Sequence, residues 1–252
     1  MSERELTVSY VKPILIEIYS ETHFESGSFP PDQFFDVVPR LKEIGFSEVE
    51  IGEVGLIAVD AEEQQVTHSN VPRIRCWTKD RSRLVQLSED VVVVNLVGEY
   101  PGWDAFRDLF SSAHDTLPDP LVSRKVESLS LNTIDRLRVP RQGYRLGRYL
   151  ACGGKFLPEW YSESTEAVDI TLGRGILQED GFNRQFRFKV RVKAEVSAEI
   201  RSTFHDLVQA QLSLHKALEK LHDESSRAFE EMITNETRHS VMGGEKSYAN
   251  NR

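Results

Sequence analysis

Basic residues at alternate positions are the first feature of this chain that could do chemistry. The run is Phe186, Arg187, Phe188, Lys189, Val190, Arg191, Val192 and Lys193. Alternate side chains share one face of a β-strand, so the run predicts a strand with one basic and one apolar face. The basic face could hold an anion, such as a nucleotide, a nucleic-acid backbone or an acidic protein segment. The alternative is the solvated face of a half-buried antiparallel sheet, with acids on the neighbouring strands.

Further basic residues repeat this theme. Arg73 and Arg75 alternate with Ile74 and Cys76 in the same way. A third group combines arginine with tyrosine and suits either the capture of phosphate or carboxylate groups or a charged loop. Its members are Arg136, Arg138, Arg141, Arg145 and Arg148, with Tyr144 and Tyr149 between them. The candidate residues for binding an anion or an acidic partner are Arg73, Arg75, Arg187, Lys189, Arg191, Lys193, Arg145 and Arg148.

Signals for catalysis, metals and cofactors are absent from the sequence. The chain has no GxxxxGK[ST], GxGxxG or GxSxG motif. His215, Glu219 and His222 fall near one face of a predicted helix, but their spacing is not that of a helical metal site, and we expect ordinary helix residues. Asp119, Asp135 and Asp169 are isolated acids. We therefore predict no enzyme, no metal site and no cofactor.

The elements that must position these residues follow from periodicity and turn signals. The first half is predicted to hold a strand at 14–24, a helix from Pro31 to Gly45, strands at 49–59, 73–78, 84–87 and 91–97, and a helix at 103–112. Pro39 should kink or divide the first helix. The polar stretch 61–70 is predicted to be a mobile connection.

The second half reads in a similar way, starting after Pro118 and Pro120. It is predicted to hold a strand at 126–139, a short helical segment at 146–151, strands at 167–172 and 185–196, and a helix at 214–234. Residues 203–212 fit a helix better than a strand, because Leu207, Leu214, Leu218 and Leu221 keep a helical spacing. The first half thus reads β-α-β-β-β-β-α, and the second repeats it with a missing or helical fourth strand.

This repetition predicts an α+β fold made of two duplicated β-α-β4-α-like halves. The halves would form one curved antiparallel sheet with the helices on one face, a topology like that of TATA-box-binding proteins by analogy. The predicted boundaries are 1–118 for the first half, 121–242 for the second, and 243–252 for a flexible tail.

Composition limits the setting of the protein. The net charge of −9 argues against general affinity for nucleic acid, although a local basic patch remains compatible with it. No run of apolar residues is long enough to span a membrane, and the N-terminus, Met1 to Glu5, lacks the apolar stretch of a signal peptide. Cys76 and Cys152 are expected to be lone thiols. We therefore expect a cytoplasmic protein without a membrane partner.

Three segments resemble a sporadically distributed family of prokaryotic proteins of about 250 residues. They are Arg73–Leu96 with Tyr100-Pro101-Gly102-Trp103 and Phe106 after it, Leu129–Val139, and Leu218–Thr234. The resemblance spans nearly the whole chain, although nothing in residues 140–185 contributes to it. The family has no established activity, so no catalytic residue carries over, and the resemblance implies an accessory or defence-like genetic setting.

The function expected from these observations is a non-enzymatic binding or regulatory module that acts through a protein partner. Arginine, the residue type that stands out, positions ligands more often than it reacts. The alternative is a nucleotide- or nucleic-acid-binding protein, or an enzyme on such substrates, that uses the basic sheet face. The identity of the partner and the oligomeric state stay open.

Overall fold

The computed structural model describes Tyr10 and residues 14–25, 33–60, 65–118, 125–138, 146–149, 151, 168–174, 182–191, 195–205 and 213–244. Within these ranges, side chains are not described for residues 34, 54–60, 65–70, 137, 138, 146, 168–174, 182–191 and 195–205. The described residues form a mixed α+β structure, which confirms the predicted class.

The strands are β1 (Leu15–Phe24), β2 (Phe46–Asp60), β3 (Gln65–Thr78), β4 (Arg83–Leu87), β5 (Val91–Val97), β6 (Val126–Arg138), β7 (Val168–Arg174), β8 (Phe182–Arg191) and β9 (Glu195–His205). The helices are α1 (Phe34–Glu43), α2 (Trp103–Asp115), α3 (Leu146–Tyr149) and α4 (Leu214–Met232). A short π-helical turn, Thr237–Val241, follows α4.

Close contacts divide the chain into two compact units. The N-terminal unit comprises residues 18–130 and 204–217, and the C-terminal unit comprises 1–17, 131–203 and 218–252. Strands β1 and β6 contribute residues to both units. These units are defined by contacts, and the division of the chain into two similar halves stays a prediction.

The N-terminal unit contains a six-stranded antiparallel sheet in the order β2-β3-β4-β5-β1-β6. The register pairs Ile51 with Ile74 across β2 and β3, and Cys76 with Val85 across β3 and β4. At the end of β1, the Phe24 amide donates to the Asp90 carbonyl at 2.8 Å. The antiparallel pairs β2–β3, β3–β4 and β4–β5 join strands that are consecutive in the chain, as expected for hairpin connections.

Burial in this unit follows the two periodicities of strand and helix. Alternate residues of β1 are buried, namely Ile18, Ser20, Thr22 and Phe24. Strand β5 is buried at five successive positions, because it lies inside the sheet and is covered on both sides. Helix α2 buries residues three or four apart, namely Phe106, Leu109, Phe110, Ala113 and His114. Amphipathic patterning alone accounts for these elements.

A buried polar contact joins α2 to β1. His114 Nδ1 donates to the Phe110 carbonyl at 2.8 Å, which leaves Nε2 of the neutral ring to accept from the Thr22 hydroxyl at 3.0 Å. Burial lowers the pKa of His114 to about 4. The imidazole is therefore a neutral core residue at physiological pH.

The C-terminal unit contains strands in the order β6-β9-β8-β7 and the long helix α4. Along α4, Leu218, Leu221, Ser225, Ala228 and Met232 are buried at helical spacing. The Tyr149 carbonyl at the end of α3 accepts from the Thr234 amide, and the Ala151 amide donates to the Met232 carbonyl at 2.7 Å. These bonds fasten α3 to the C-terminal end of α4.

A second network fixes the N-terminal segment of this unit. The Tyr10 hydroxyl lies 2.8 Å from both carboxylate oxygens of Glu230, and Arg238 Nε donates to Glu230 at 3.2 Å. Burial and the Glu230 carboxylate raise the pKa of Tyr10 to about 12. Tyr10 thus stays protonated and acts as a donor.

Two expectations about the first half are wrong. Residues 65–70 belong to β3 and are not a loose connection. Their polar side chains gave no strand signal, but the backbone pairs with β2 from Asp60–Gln65 onward. The expected division of α1 at Pro39 is also wrong, because the helix continues from Phe34 to Glu43, and a kink at Pro39 stays a prediction. Pro39, the sixth of ten residues, lacks the amide that would bond to the Phe35 carbonyl, and the helix tolerates this loss with Val37 and Leu41 buried.

Two expectations about the second half are also wrong. The predicted strand at 185–196 is two strands, because β8 ends at Arg191 and β9 begins at Glu195. Residues 203–205 end β9 and are not helical, and 206–212 lie outside the described residues. The leucines with helical spacing begin at Leu207, after the end of β9, and residues 203–205 pair within the sheet as part of β9, between β6 and β8. In the described residues this half reads β-α-β-β-β-α.

Gly45 ends α1 with a positive φ of 101°, as predicted for a C-terminal stop. An added Cβ would meet nothing within 4 Å at Gly45 or Gly52, but Gly52 has no positive φ. We expect Gly45→Ala to lower the free energy of unfolding by about 1–2 kcal/mol, from backbone strain alone. The matched Gly52→Ala should be neutral or slightly stabilising. Urea unfolding checks this, and equal losses in both variants would contradict it.

Candidate functional site

Exposed large apolar side chains lie on or beside two neighbouring elements of the N-terminal unit, α1 and β2. Among residues with described side chains, the large hydrophobic residues that are exposed are Phe35 at 54%, Ile44 at 37%, Val49 at 37% and Ile51 at 67%. Phe35 lies in α1, Ile44 directly follows it, and Val49 and Ile51 lie in β2. Helix α1 contacts both β2 and β3. We call these four residues the apolar patch; such patches commonly mark interaction sites.

The geometry of α1 explains why Phe35 is exposed. Val37 and Leu41, four positions apart, are buried and face the sheet. Phe35 is two positions before Val37, and two positions rotate a helix by about 200°. The three- and four-residue spacing of Phe35, Val38, Leu41 and Ile44 predicts one buried apolar face. Leu41 is buried, but Phe35 is exposed because the buried stripe includes Val37, and Ile44 is exposed because it follows the last residue of the helix.

Strand β2 is the edge of the sheet in the described part of the chain. It stands first in the strand order, and β3 is its neighbour. The pairing runs from Phe46–Thr78 to Asp60–Gln65, whereas β4 pairs only with Ile74–Trp77 of β3. Every second residue of an edge strand directs its backbone N–H and C=O away from the sheet. Val49 and Ile51 of the apolar patch therefore lie on a strand whose outer backbone groups could pair with another strand.

Charged residues of β2 are held by an arginine of the β3–β4 turn. Arg81 Nε lies 3.1 Å from Glu48 Oε2, and Arg81 Nη2 lies 2.6 Å from Glu50 Oε1. Trp77 Nε1 donates to Glu50 at 3.3 Å, and the Arg81 guanidinium lies 5.4 Å from the Trp77 ring centre. Hydrogen bonds from Arg81 lower the pKa of Glu50 and keep it ionised.

Sequence reasoning missed this cluster, although a signal was present. Glu48, Val49, Glu50 and Ile51 alternate acid with apolar, as an acidic counterpart of the Arg187–Lys193 run. The role of Arg81 could not be found in this way, because it depends on a turn with positive φ of 56° at that residue.

Arg73 and Arg75 lie on β3, as predicted, but differ in environment. Arg75 is exposed, donates from Nε to Gln86 Oε1 at 3.2 Å, and stands opposite Glu50 in the register. Arg73 is half-buried, and its Nε has no hydrogen-bond partner in the described part of the structure. Burial lowers the pKa of Arg73, and the Arg75 charge acts in the same direction.

Arg187, Lys189 and Arg191 lie on β8. The register pairs Arg187 with Thr171 and Lys189 with Asp169, so an acid stands opposite one of the basic positions. Lys193 lies outside the described residues. These three residues belong to the C-terminal unit and Arg73 and Arg75 to the N-terminal unit, so a single binding site made of both groups stays a prediction.

The Arg148 side chain forms an ion pair with Glu236. Its Nη2 lies 2.9 Å from Glu236 Oε1, and its guanidinium lies 5.9 Å from the Tyr149 ring centre. Both groups of the ion pair are partly exposed, so its contribution to stability is small. Arg145 lies outside the described residues, and a joint site with Arg148 stays a prediction.

Two further ionisable groups are buried, one on β6 and one on α4. Burial raises the pKa of Asp135 on β6 to about 7 and lowers the pKa of His222 on α4 to about 4. The described residues contain no group of three or more His, Cys, Asp or Glu placed to hold a metal ion. His222 lies 3.3 Å from the Ser226 hydroxyl, a contact within one helix.

Comparison with known proteins gives no assignment. No protein-family model and no curated protein matches the chain. Among the described helices, none has the length and apolar character needed to cross a membrane. The candidate site must therefore be argued from its own geometry.

Asp135→Asn should reveal the cost of the buried carboxyl group. Below pH 4 the acid is protonated in both states, but between pH 4 and 7 the unfolded chain ionises while the folded carboxyl resists, so wild-type stability falls as pH rises. The variant should therefore gain at least about 1 kcal/mol over wild type from pH 4 to pH 8. Chemical unfolding at several pH values measures this, with Glu89→Gln as an exposed control. A variant that loses stability toward pH 8 would show that the carboxylate is ionised and paired.

Proposed function

We propose that this protein is a non-enzymatic binding or regulatory module that acts through a protein partner. The observation that carries the proposal is the coincidence of the apolar patch with the edge strand β2. An edge strand offers backbone hydrogen bonds, and adjacent apolar side chains supply the energy of desolvation. Recognition by strand addition needs these two features together.

The setting we propose is a cytoplasmic, accessory or defence-like system of a prokaryote. Membership in the sporadically distributed prokaryotic family is part of this proposal and rests on Arg73–Leu96, Leu129–Val139 and Leu218–Thr234. Cys76 is a buried free thiol, and burial raises its pKa to about 11, which makes it poorly reactive.

The duplicated architecture is also a proposal. The first half has the element order β-α-β-β-β-β-α, and the described elements of the second half follow as β-α-β-β-β-α. This near-repetition supports two related halves with a topology like that of TATA-box-binding proteins. The described second half has one strand fewer than the first, and the two halves differ at this point.

The alternative is anion binding, or nucleotide chemistry, on the basic sheet face. One observation favours it, since Arg73 has a buried Nε without a partner in the described residues, and an anion would satisfy it. The hydrogen bond from Arg75 to Gln86 weighs against it, because Gln86 already supplies a local partner on that face.

Paired variants separate the two functions. The double variant Phe35→Ser, Ile51→Ser should capture at least tenfold less of the native partner. Each substitution would remove roughly 1.5 kcal/mol or more of the free energy gained when that exposed side chain is buried at the interface. Arg187→Ala with Arg191→Ala is the matched control and should leave capture unchanged. Affinity purification at native expression, with bound protein and nucleotide measured by mass spectrometry, gives the readout.

The reverse result would favour the alternative. If the arginine pair loses its bound molecule, while remaining folded, and the serine pair retains it, then the basic face binds. Added salt should then weaken the interaction steeply. A wild-type protein that captures no protein above background would contradict the proposed function.

A further inference from the structure

We propose that the partner pairs with β2 through an extended segment that alternates apolar residues with Lys or Arg. This inference rests on the proposed function and specifies the chemistry of the partner. Its parts are the free backbone edge of β2, the acidic composition of that strand and the apolar residues beside it.

The edge of β2 has only part of the usual protection against strand addition, namely its acids and an irregular register between Phe46 and Glu48. Natural edge strands commonly carry lysine or proline, or are very short. Strand β2 has 15 residues with the sequence FSEVEIGEVGLIAVD and contains neither residue type. Gly52 and Gly55 lack side chains, so another backbone can approach closely at these positions. The strand is thus open to a neighbour in the described structure.

The negative charge of β2 determines which kind of strand can pair with its edge. Over its length β2 carries Glu48, Glu50, Glu53 and Asp60 and no basic residue. Pairing with β2 of a second copy would bring acids against acids, and like charges on facing strands are destabilising. A strand with lysine or arginine at alternate positions would face these acids favourably. The acids therefore discourage self-association and admit a basic partner.

The two faces of β2 match an alternating segment. Val49 and Ile51 share one face of the strand, opposite Cys76 and Ile74 of β3 in the register. Glu48 and Glu50 share the other face, opposite Trp77 and Arg75. A partner strand in register would place apolar residues beside Val49 and Ile51 and basic residues beside the glutamates.

Arg81 prepares the acidic side for binding. It contacts Glu48 and Glu50 from the β3–β4 turn, across β3 from the free edge. The guanidinium fixes both carboxylates, while their side chains remain 41% and 42% exposed. Carboxylates that are already ordered lose less entropy when a cation arrives from the other side.

Synthetic peptides test the proposal on the full-length protein. The probe is a short peptide that alternates Val and Lys. One control has Glu in place of Lys, and a second keeps the Val–Lys sequence but is N-methylated at alternate backbone positions. Binding is measured by calorimetry, and amide exchange of β2 is followed by NMR. The Val–Lys peptide should bind and protect β2, and both controls should bind at least tenfold more weakly.

A charge-reversal pair tests the location. Glu48→Lys reverses a charge on the acidic face of β2, where Glu48 is 41% exposed, and should weaken binding of the Val–Lys peptide about fivefold. Glu89→Lys makes the same change at an exposed position of the β4–β5 turn and should alter affinity less than twofold. Equal effects would show attraction to the net negative charge and would overturn the proposal.

The remaining outcomes are also decisive. Equal binding of the N-methylated peptide would exclude strand pairing, and equal binding of the Val–Glu peptide would exclude the charge argument. Failure of the Val–Lys peptide to bind overturns this inference. If the Phe35→Ser, Ile51→Ser protein still loses its native partner in that case, the proposed function stands and only the partner chemistry is wrong.

Discussion

The antiparallel ladder between β2 and β3 is the constraint on which the candidate site depends. It extends from Phe46–Thr78 to Asp60–Gln65, far beyond the four β3 residues that pair with β4. Residues 65–73 of β3 pair with β2 and not with β4 in the described structure. The ladder thus keeps β2 extended, although in the described residues β2 is hydrogen-bonded to one strand, β3. It also fixes which side chains share a face, so that Val49 and Ile51 stand apart from Glu48 and Glu50.

Strand pairing also determines which charged residues stand opposite each other. Glu50 stands opposite Arg75 and within reach of Arg81, so its carboxylate is surrounded by cations on the β3 side. Lys189 of β8 stands opposite Asp169 in a similar arrangement of opposite charges. Alternating charge in this protein therefore occurs in both signs. An acidic strand at a sheet edge is available to a partner, whereas a basic strand between two others offers only its face.

Much of the local structure follows from sequence. Val91–Val97 is predicted with its observed bounds, because a continuous apolar run lies between two turns. Trp103 is predicted as the start of α2 after Pro101 and Gly102. Gln65–Asn70 is missed because its strand rests on backbone pairing and not on apolar alternation. The strand β9 is missed for the related reason that pairing with β6 and β8 is long-range. Periodicity reports which residues can be buried, not which strands become neighbours.

The candidate site was less accessible to sequence for the same reason. Alternation places Arg75 and Arg187 on strands, but only the register shows Glu50 and Thr171 opposite them. The exposure of Ile51 follows from the position of β2 at the edge, and strand order cannot be deduced from a local pattern. Arg81 contacts Glu48 and Glu50 across more than 30 positions of sequence. Each of these features depends on pairing between distant segments.

The most direct measurement of the central claim is residue-resolved amide hydrogen exchange across β2 in the free protein. If β2 is an open edge, amides directed toward β3 should exchange slowly, and the intervening amides should exchange quickly, giving an alternating pattern from Phe46 through Glu53. Uniform slow exchange along the strand would show that its outer side is already covered. That result would contradict an edge available to a partner.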